Sequence, residues 1–113
     1  MTLGQELPAR SMFMATRVEQ DAEVIRVIPG GDINHEEAES MKNAVTSLTF
    51  KSVKAVVFDL RNVSYIGSAG LGKFLLFYKR LSSQKIRMEI ESASPSMREL
   101  LKELRLDTLF SIR

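Results

Sequence analysis

The sequence predicts an α/β domain built on a mainly parallel sheet, with the element order β-β-α-β-α-β-α-β. Short runs rich in β-branched residues alternate with longer segments of helical periodicity. This order is typical of parallel strands joined by right-handed helical crossovers. The hydrophobic fraction is 44% over 113 residues, which is enough for one core. We therefore expect one domain over residues 11–113, preceded by a flexible tail over residues 1–10.

An antiparallel hairpin is expected at one edge of the sheet. A weak alternation begins at Met12, and a clearer β-branched run, Val24–Ile28, is stopped by Pro29 and two glycines. The polar stretch EQDAE between the two runs suits a hairpin loop.

The next segment, NHEEAESMKNAVTSL, predicts the first helix. Asn34 followed by Glu37 has the spacing of a capping box. Acidic residues in this first turn also suit the positive end of the helix dipole. One apolar face recurs at helical spacing and comprises Ala38, Met41, Val45 and Leu48.

A buried strand and a second helix form the middle of the chain. The near-continuous apolar run from Ala55 to Phe58 is typical of a strand covered on both faces. The segment AGLGKFLLFYKRL then predicts a helix whose first turn is weakened by two glycines. Its apolar face is predicted to comprise Leu71, Leu75, Tyr78 and Leu81.

The last third of the chain predicts a strand, a helix and a short closing strand. KIRMEIES alternates apolar and charged residues, with Ile86, Met88 and Ile90 facing inward. SPSMRELLKELRL opens with a serine and a proline, a good cap and first-turn pair. Its apolar face comprises Met97, Leu100, Leu101 and Leu104, and TLFSI is read as the closing strand.

Composition excludes several classes of protein. Lys and Arg number 16 against 14 Asp and Glu and are scattered, so the net charge of +2 gives no footprint for a nucleic-acid partner. The absence of cysteine excludes disulfides, thiolate metal sites and cysteine nucleophiles. No run approaches the roughly 18 apolar residues of a membrane span, and no signal peptide is visible. We expect a cytoplasmic protein without membrane insertion.

The residues of ordinary catalytic sites are mostly absent. The single histidine, His35, reads as an exposed residue at a helix start. A serine triad would have to join it to Ser68 and an acid such as Asp59, and no nucleophile-elbow pattern surrounds that serine. GSAGLG is neither a Walker loop nor a dinucleotide fingerprint. We expect no enzymatic activity, no cofactor and no metal.

Ser68 lies at a strand-to-helix junction in the stretch SYIGSAGLGKF, between small residues. Two interpretations stand. The serine is a helix cap with glycines for tight packing, which local chemistry favours. Alternatively, its hydroxyl is offered for modification at a helix end whose unpaired amides favour a phosphate.

Three segments carry a resemblance to a known family. They are GGDINHEEAESMKNAV, VVFDLRNVSYIGSAGLGKFLLFYKR and SPSMRELLKELRLDTLFSI. Together, over roughly residues 12–112, they resemble the STAS domain, and specifically the stand-alone bacterial anti-sigma factor antagonists. In that family a buried strand leads to an Asp-Ser-Ser/Thr/Ala-Gly-Leu-Gly motif at a helix start. The resemblance implies a STAS-type sheet with helices packed on it.

The resemblance also implies an activity, partner switching. The unphosphorylated antagonist binds a serine protein kinase that doubles as an anti-sigma factor or other inhibitor, and thereby frees the regulator it held. The kinase phosphorylates the motif serine with ATP and releases the antagonist, and a PP2C-type phosphatase reverses this. The phosphoacceptor maps onto Ser68, and the partner-binding positions map onto Asp32, Asn34, Gly67, Ser68, Ala69, Gly70, Gly72 and Lys73. Candidates on the outer face of the same helix are Lys73, Phe77 and Lys79 or Arg80, and the alternative for Phe77 is a place in the core.

Two positions depart from the family pattern. Gly67 stands where relatives carry the Asp before the serine, and Asn34 stands where they carry an Asp before the first helix. Both departures favour an alternative, a STAS module without phosphorylation that serves as a small subunit of a transporter or signalling complex. A small enzyme or a nucleotide-binding protein is the third hypothesis.

Overall fold

The computed structural model describes residues 16–21 and 23–113, which form one five-stranded sheet with three helices. The strands lie in the order β1-β2-β3-β4-β5. They are β1 Arg17–Gln20, β2 Val24–Ile28, β3 Ala55–Asp59, β4 Arg87–Glu91 and β5 Ser111–Ile112. The helices are α1 His35–Thr46, α2 Ser68–Ser83 and α3 Pro95–Glu103. The predicted fold class and element order are confirmed.

Strand pairing matches the predicted hairpin and parallel crossovers. β1 is antiparallel to β2, and the other three pairings are parallel. The Asp21 carboxylate closes the hairpin loop by accepting from the amides of Glu23 and Val24, each at 3.0 Å. The predicted tail over residues 1–10, and the start of the first strand at Met12, lie outside the described residues.

The main core lies between the helices and one face of the sheet. Alternate strand residues point into it, among them Val27, Phe58 and Ile90. Phe58 is its centre, because its ring stacks on Phe77 at 5.4 Å and meets Phe74 edge-on at 5.3 Å. Aromatic pairs of these geometries add to the gain from burial.

The predicted apolar face of α2 is wrong at Leu75, which is 41% exposed. Leu81 is buried as predicted, and Leu71 and Tyr78 are partly buried against the core. The helix turns away from Leu75 because this brings its two phenylalanines onto Phe58, which buries more apolar surface than the smaller leucine would.

The faces of the other two helices were largely predictable. On α1, Ala38, Met41 and Val45 are buried as expected. On α3, Ser94 accepts a hydrogen bond from the Met97 amide at 3.2 Å, which confirms the predicted cap.

The chain beyond α3 departs from the prediction. Leu104 is an exposed C-cap residue and not part of the apolar face. The expected closing strand is shorter than TLFSI, because the chain first makes a 3₁₀ turn over Leu106–Thr108.

The opposite face of the sheet carries charged residues that the sequence did not single out. The Asp59 side chain is only 2% exposed. It accepts from Arg26 at 3.1 Å and from Arg61 at 2.6 Å. Arg26 also bonds Glu91 at 2.8 Å, so β2, β3 and β4 are tied together by side chains. Hydrogen bonds from Arg61, together with Arg26, lower the pKa of Asp59.

Asp59→Asn is expected to lower the free energy of unfolding by about 2 kcal/mol. Removing one partner of a fully buried ion pair costs about 3–5 kcal/mol, and the arginines here remain partly hydrated. Urea denaturation measures the change. Glu103→Gln, at an exposed position of α3, is the control and should leave stability unchanged. An equally stable Asp59→Asn variant would contradict the structural role of this carboxylate.

Low pH should lower the stability of the wild-type protein through the same network of ion pairs. The pKa values of Asp59 and Glu91 are both lowered by arginine hydrogen bonds. The two carboxylates therefore contribute to folding stability above the usual carboxyl pKa of about 4. This contribution is lost as the pH falls through their pKa values in the folded protein. Asp59→Asn should flatten this acid limb, which a urea series between about pH 2 and 6 would measure.

Candidate functional site

The starts of α1 and α2 are held side by side by a backbone clamp, which we define as Asp32, Ile33, Tyr65, Ile66 and Gly67. Ile33 and Ile66 form an isolated parallel bridge. The Ile33 amide donates to the Tyr65 carbonyl at 2.8 Å, and the Gly67 amide donates to the Ile33 carbonyl at 2.9 Å. Each helix begins two residues after its bridging isoleucine, so both N-termini open at the same place.

Asp32 completes the clamp. Its carboxylate accepts from the backbone amides of Ser64 at 2.8 Å and Tyr65 at 3.0 Å. The sequence made Asp32 a partner-binding candidate. The structure adds an internal role, because these two bonds fix the loop that leads into Ser68.

The N-terminus of α1 is capped by the side chain of Asn34. Asn34 Oδ1 accepts from the Glu37 amide at 2.9 Å, so the predicted cap is confirmed. The reciprocal half of the capping box is wrong, since the Asn34 amide donates to the Asp32 carbonyl and the Glu37 carboxylate accepts from Thr16 Oγ1. Asn34 is thus committed to α1.

The N-terminus of α2 is open by contrast. Its N-cap residue is Gly67, which has no side chain to cap with, and its first turn contains no acid. Leu71 is the first residue whose amide finds a helical carbonyl, that of Gly67 at 3.1 Å. Within the described residues, the amides of Ser68, Ala69 and Gly70 have no acceptor. Three donors and the positive end of the helix dipole therefore remain without a partner, in the described part of the chain, at this end of α2.

Ser68 is the first residue of α2 and not its cap, so the capping interpretation is wrong. Its side chain is exposed. Among residues 16–21 and 23–113, nothing hydrogen bonds to its hydroxyl. The hydroxyl is therefore accessible at the helix end whose amide donors are unused.

The three glycines of the motif differ in surroundings. A methyl group added at Gly70 would lie 2.5 Å from Ile33 Cγ2 and 3.0 Å from Ile66 Cγ2, so this glycine lets α2 rest on the clamp. It was expected at an open partner-binding surface, but it is buried. Gly72 has open space around it, and a methyl group at Gly67 would make only ordinary contacts with Tyr65 and Ile33.

The positively charged partner-binding candidates on α2 differ in whether they form an ion pair. Lys73 forms an ion pair with Glu39 of α1 at 3.0 Å, and this contact lowers the pKa of Glu39. Lys79 and Arg80 are exposed and form no ion pair in the part of the chain that the structure describes. Phe77, a partner candidate from sequence, is core.

Sequence reasoning missed Tyr65 as a surface residue of this site. Its side chain is 59% exposed, and its hydroxyl would lie 3.5 Å from a methyl group at Gly67. The ring therefore lies beside the position where relatives carry a carboxylate. Its place two residues before the motif was the only sequence signal.

The described ranges contain neither a cluster of metal ligands nor a membrane-spanning helix. Over residues 16–21 and 23–113, no three His, Cys, Asp or Glu side chains are grouped as metal ligands. No helix among these residues is long and apolar enough to cross a membrane.

The fold and the site define a small α/β domain that presents an exposed serine at an open helix N-terminus. The chain belongs to the STAS domain family, whose family model matches residues 15–113. The resemblance in the sequence is thereby confirmed at the level of the family.

Solved structures place the fold among anti-sigma factor antagonists. An antagonist from Mycobacterium paratuberculosis is 27% identical, with 86% of this chain and 82% of that chain covered and a TM-score of 0.73. The unphosphorylated antagonist SpoIIAA is 18% identical, with 87% of each chain covered and a TM-score of 0.73. Phosphorylated SpoIIAA from Bacillus is 19% identical, with 87% and 90% covered and a TM-score of 0.68. At identities this low, the two SpoIIAA structures support the fold alone.

Gly70→Ala and Gly72→Ala should shift stability in opposite directions. At Gly70 the methyl group would collide with the clamp isoleucines, and we expect a loss of about 1–3 kcal/mol from overpacking. At Gly72 the space is open, so the better helix propensity of alanine should add up to about 1 kcal/mol. Thermal and urea unfolding measure both. A Gly70→Ala variant as stable as Gly72→Ala would contradict the tight contact.

A negative charge at residue 68 should stabilise the fold. Ser68→Asp lies within reach of the unused amides, and a carboxylate at a helix N-terminus contributes about 0.3–1 kcal/mol. The gain should shrink at high salt. Ser82→Asp, near the C-terminal end of the same helix, is the control and should destabilise by a similar amount. Lower stability of Ser68→Asp at low salt would contradict the open N-terminus.

Proposed function

We propose that this protein is a partner-switching regulator of the anti-sigma factor antagonist type, controlled by reversible phosphorylation of Ser68. In its unphosphorylated form it binds a serine kinase that also acts as an anti-sigma factor or other inhibitor. The kinase transfers phosphate from ATP to Ser68 and releases the protein, and a PP2C-type phosphatase restores the hydroxyl. The protein itself performs no catalysis and acts in the cytoplasm.

The observation that carries this proposal is the exposed, unbonded Ser68 hydroxyl at an N-terminus with three unused amides. A kinase needs an accessible hydroxyl, and a phosphate there would bring about −1.5 to −2 charges to a region of amide donors. The phosphorylated form is thus stabilised within the protein. Similarity to the anti-sigma factor antagonist from Mycobacterium paratuberculosis, at 27% identity, supports the antagonist type.

Release follows from the cost of burying charge. Unphosphorylated, the rim around Ser68 offers neutral groups to a partner: Gly67, Asn34 and the hydroxyl. A phosphate in a desolvated interface without a matching cation would be costly. A loss of about 3 kcal/mol weakens binding more than a hundredfold, which is enough to switch partners.

The two missing carboxylates leave Ser68 able to accept a phosphate. Asn34 caps α1 as an Asp would. At Gly67 there is room for a side chain, so the glycine is not a steric requirement. The lack of a carboxylate beside Ser68 also removes repulsion of an incoming phosphate.

The central test is phosphate transfer from ATP by purified serine kinases of this class from the source organism. Wild type should gain one phosphate on Ser68, located by mass spectrometry, and Ser68→Ala should gain none. Ser64→Ala is the matched control, an exposed serine of the same loop, and should be phosphorylated like wild type. Ser68→Asp should bind the kinase about tenfold more weakly, through roughly 1.4 kcal/mol of unfavourable charge burial.

The proposal fails if wild type is never phosphorylated and Ser68→Ala and Ser68→Asp bind the kinase equally well. Gly67 and Asn34 favour the second candidate, a non-phosphorylated subunit of a transporter or signalling complex. A pulldown that recovers a transporter ATPase, together with an unmodified Ser68 in cells, would support that candidate instead.

A further inference from the structure

The outer face of α2 carries an exposed pair of leucines, Leu75 and Leu76, which we call the leucine pair. They are 41% and 40% exposed, although the helix buries two phenylalanines on its other side. Both side chains are therefore partly open to solvent. Partly exposed leucines are ordinary on a protein surface, so the significance of this pair depends on where it lies relative to Ser68.

Leu75 lies on the same face as Ser68, and Leu76 lies about 100° further round the helix. Residues 68, 72, 75 and 79 are spaced four, three and four apart, so they form one stripe on a helix with 3.6 residues per turn. Leu75 is about 10 Å along the axis from Ser68 at about 1.5 Å per residue. Gly72, between them, has open space around it. A partner that approaches Ser68 can therefore lie flat along the helix and reach the leucines.

The charged side chains of α2 are all positive. α2 contains three cations and no acid. Lys73 is paired with Glu39, whereas Lys79 and Arg80, one turn beyond the leucines, form no ion pair within the described residues. The chemistry that complements this face is an apolar pocket with carboxylates at one end.

We infer that the leucine pair is a docking element for the kinase of the proposed function, and that it seats in an apolar, acid-rimmed pocket of that kinase. The inference rests on the proposed function and extends it. Ser68 decides whether the complex persists, while the leucines supply binding that phosphorylation does not touch chemically. A few buried residues commonly carry most of the binding energy of an interface, and a leucine seated in an apolar pocket gains the free energy of burying its side chain.

The test measures affinity for each purified serine kinase of this class from the source organism, with wild type and Leu75→Gln/Leu76→Gln. Glutamine has a similar helix propensity, so the melting temperature should not fall. We expect about tenfold or weaker binding and a matching loss in the rate of Ser68 phosphorylation at low kinase concentration. The control Leu104→Gln/Leu109→Gln removes two leucines of similar exposure elsewhere and should bind like wild type. Lys79→Glu should slow association and lessen its salt dependence.

The outcomes separate the two proposals. If a kinase binds wild type and the leucine variant equally, the docking inference is overturned and the proposed function stands. If no kinase binds wild type, the proposed function fails and the docking inference fails with it. Loss of a wild-type dimer in the leucine variant, with kinase binding unchanged, would assign the pair to self-association and overturn the inference.

Discussion

The clamp between the loops that precede α1 and α2 is the constraint on which the site depends. It is built almost entirely from backbone groups, with one carboxylate, Asp32, to hold the second loop. Because Gly70 lets α2 rest on the clamp isoleucines, the packing of the helix and the position of Ser68 are fixed by the same contacts. The serine is therefore presented from a rigid base, although it is itself exposed.

The clamp brings together two helix N-termini that differ in capping and in charge, and this difference determines where the site can bind an anion. α1 has a side-chain cap and acids in its first turn, while α2 has neither. Three unused amide donors thus remain at α2 without a side-chain cap or an acid beside them, whereas α1 has both. An anion near the clamp should bind at Ser68 in preference to Asn34, because the first turn of α1 already contains acidic side chains.

Local features of the sequence were sufficient for most of the fold. The buried β3, the apolar face of α1 and the Ser94 cap all follow from patterns within a few residues. The rotation of α2 did not, because leucines and phenylalanines both recur at helical spacing on it. The side that is buried is set by contacts with Phe58, which lies on a strand ten or more residues away in the sequence. Asp32 and Asp59 were missed as structural residues for the same reason, since their main partners include residues more than 30 positions distant.

The misplaced face of α2 bears directly on how the site works. With Phe74 and Phe77 turned inward, Leu75, which a simple pattern would bury, is left on the same side as Ser68. Burying the phenylalanines stabilises the domain, and the exposed leucine is the residue that this packing cannot accommodate. The surface two turns beyond Ser68 is consequently apolar where it could have been charged. Under the proposed function, a docking surface and a phosphorylated serine would share one helix, with the apolar contacts well separated from the group whose charge changes. Affinity and control could then vary independently, a property that would let one STAS fold serve different partners.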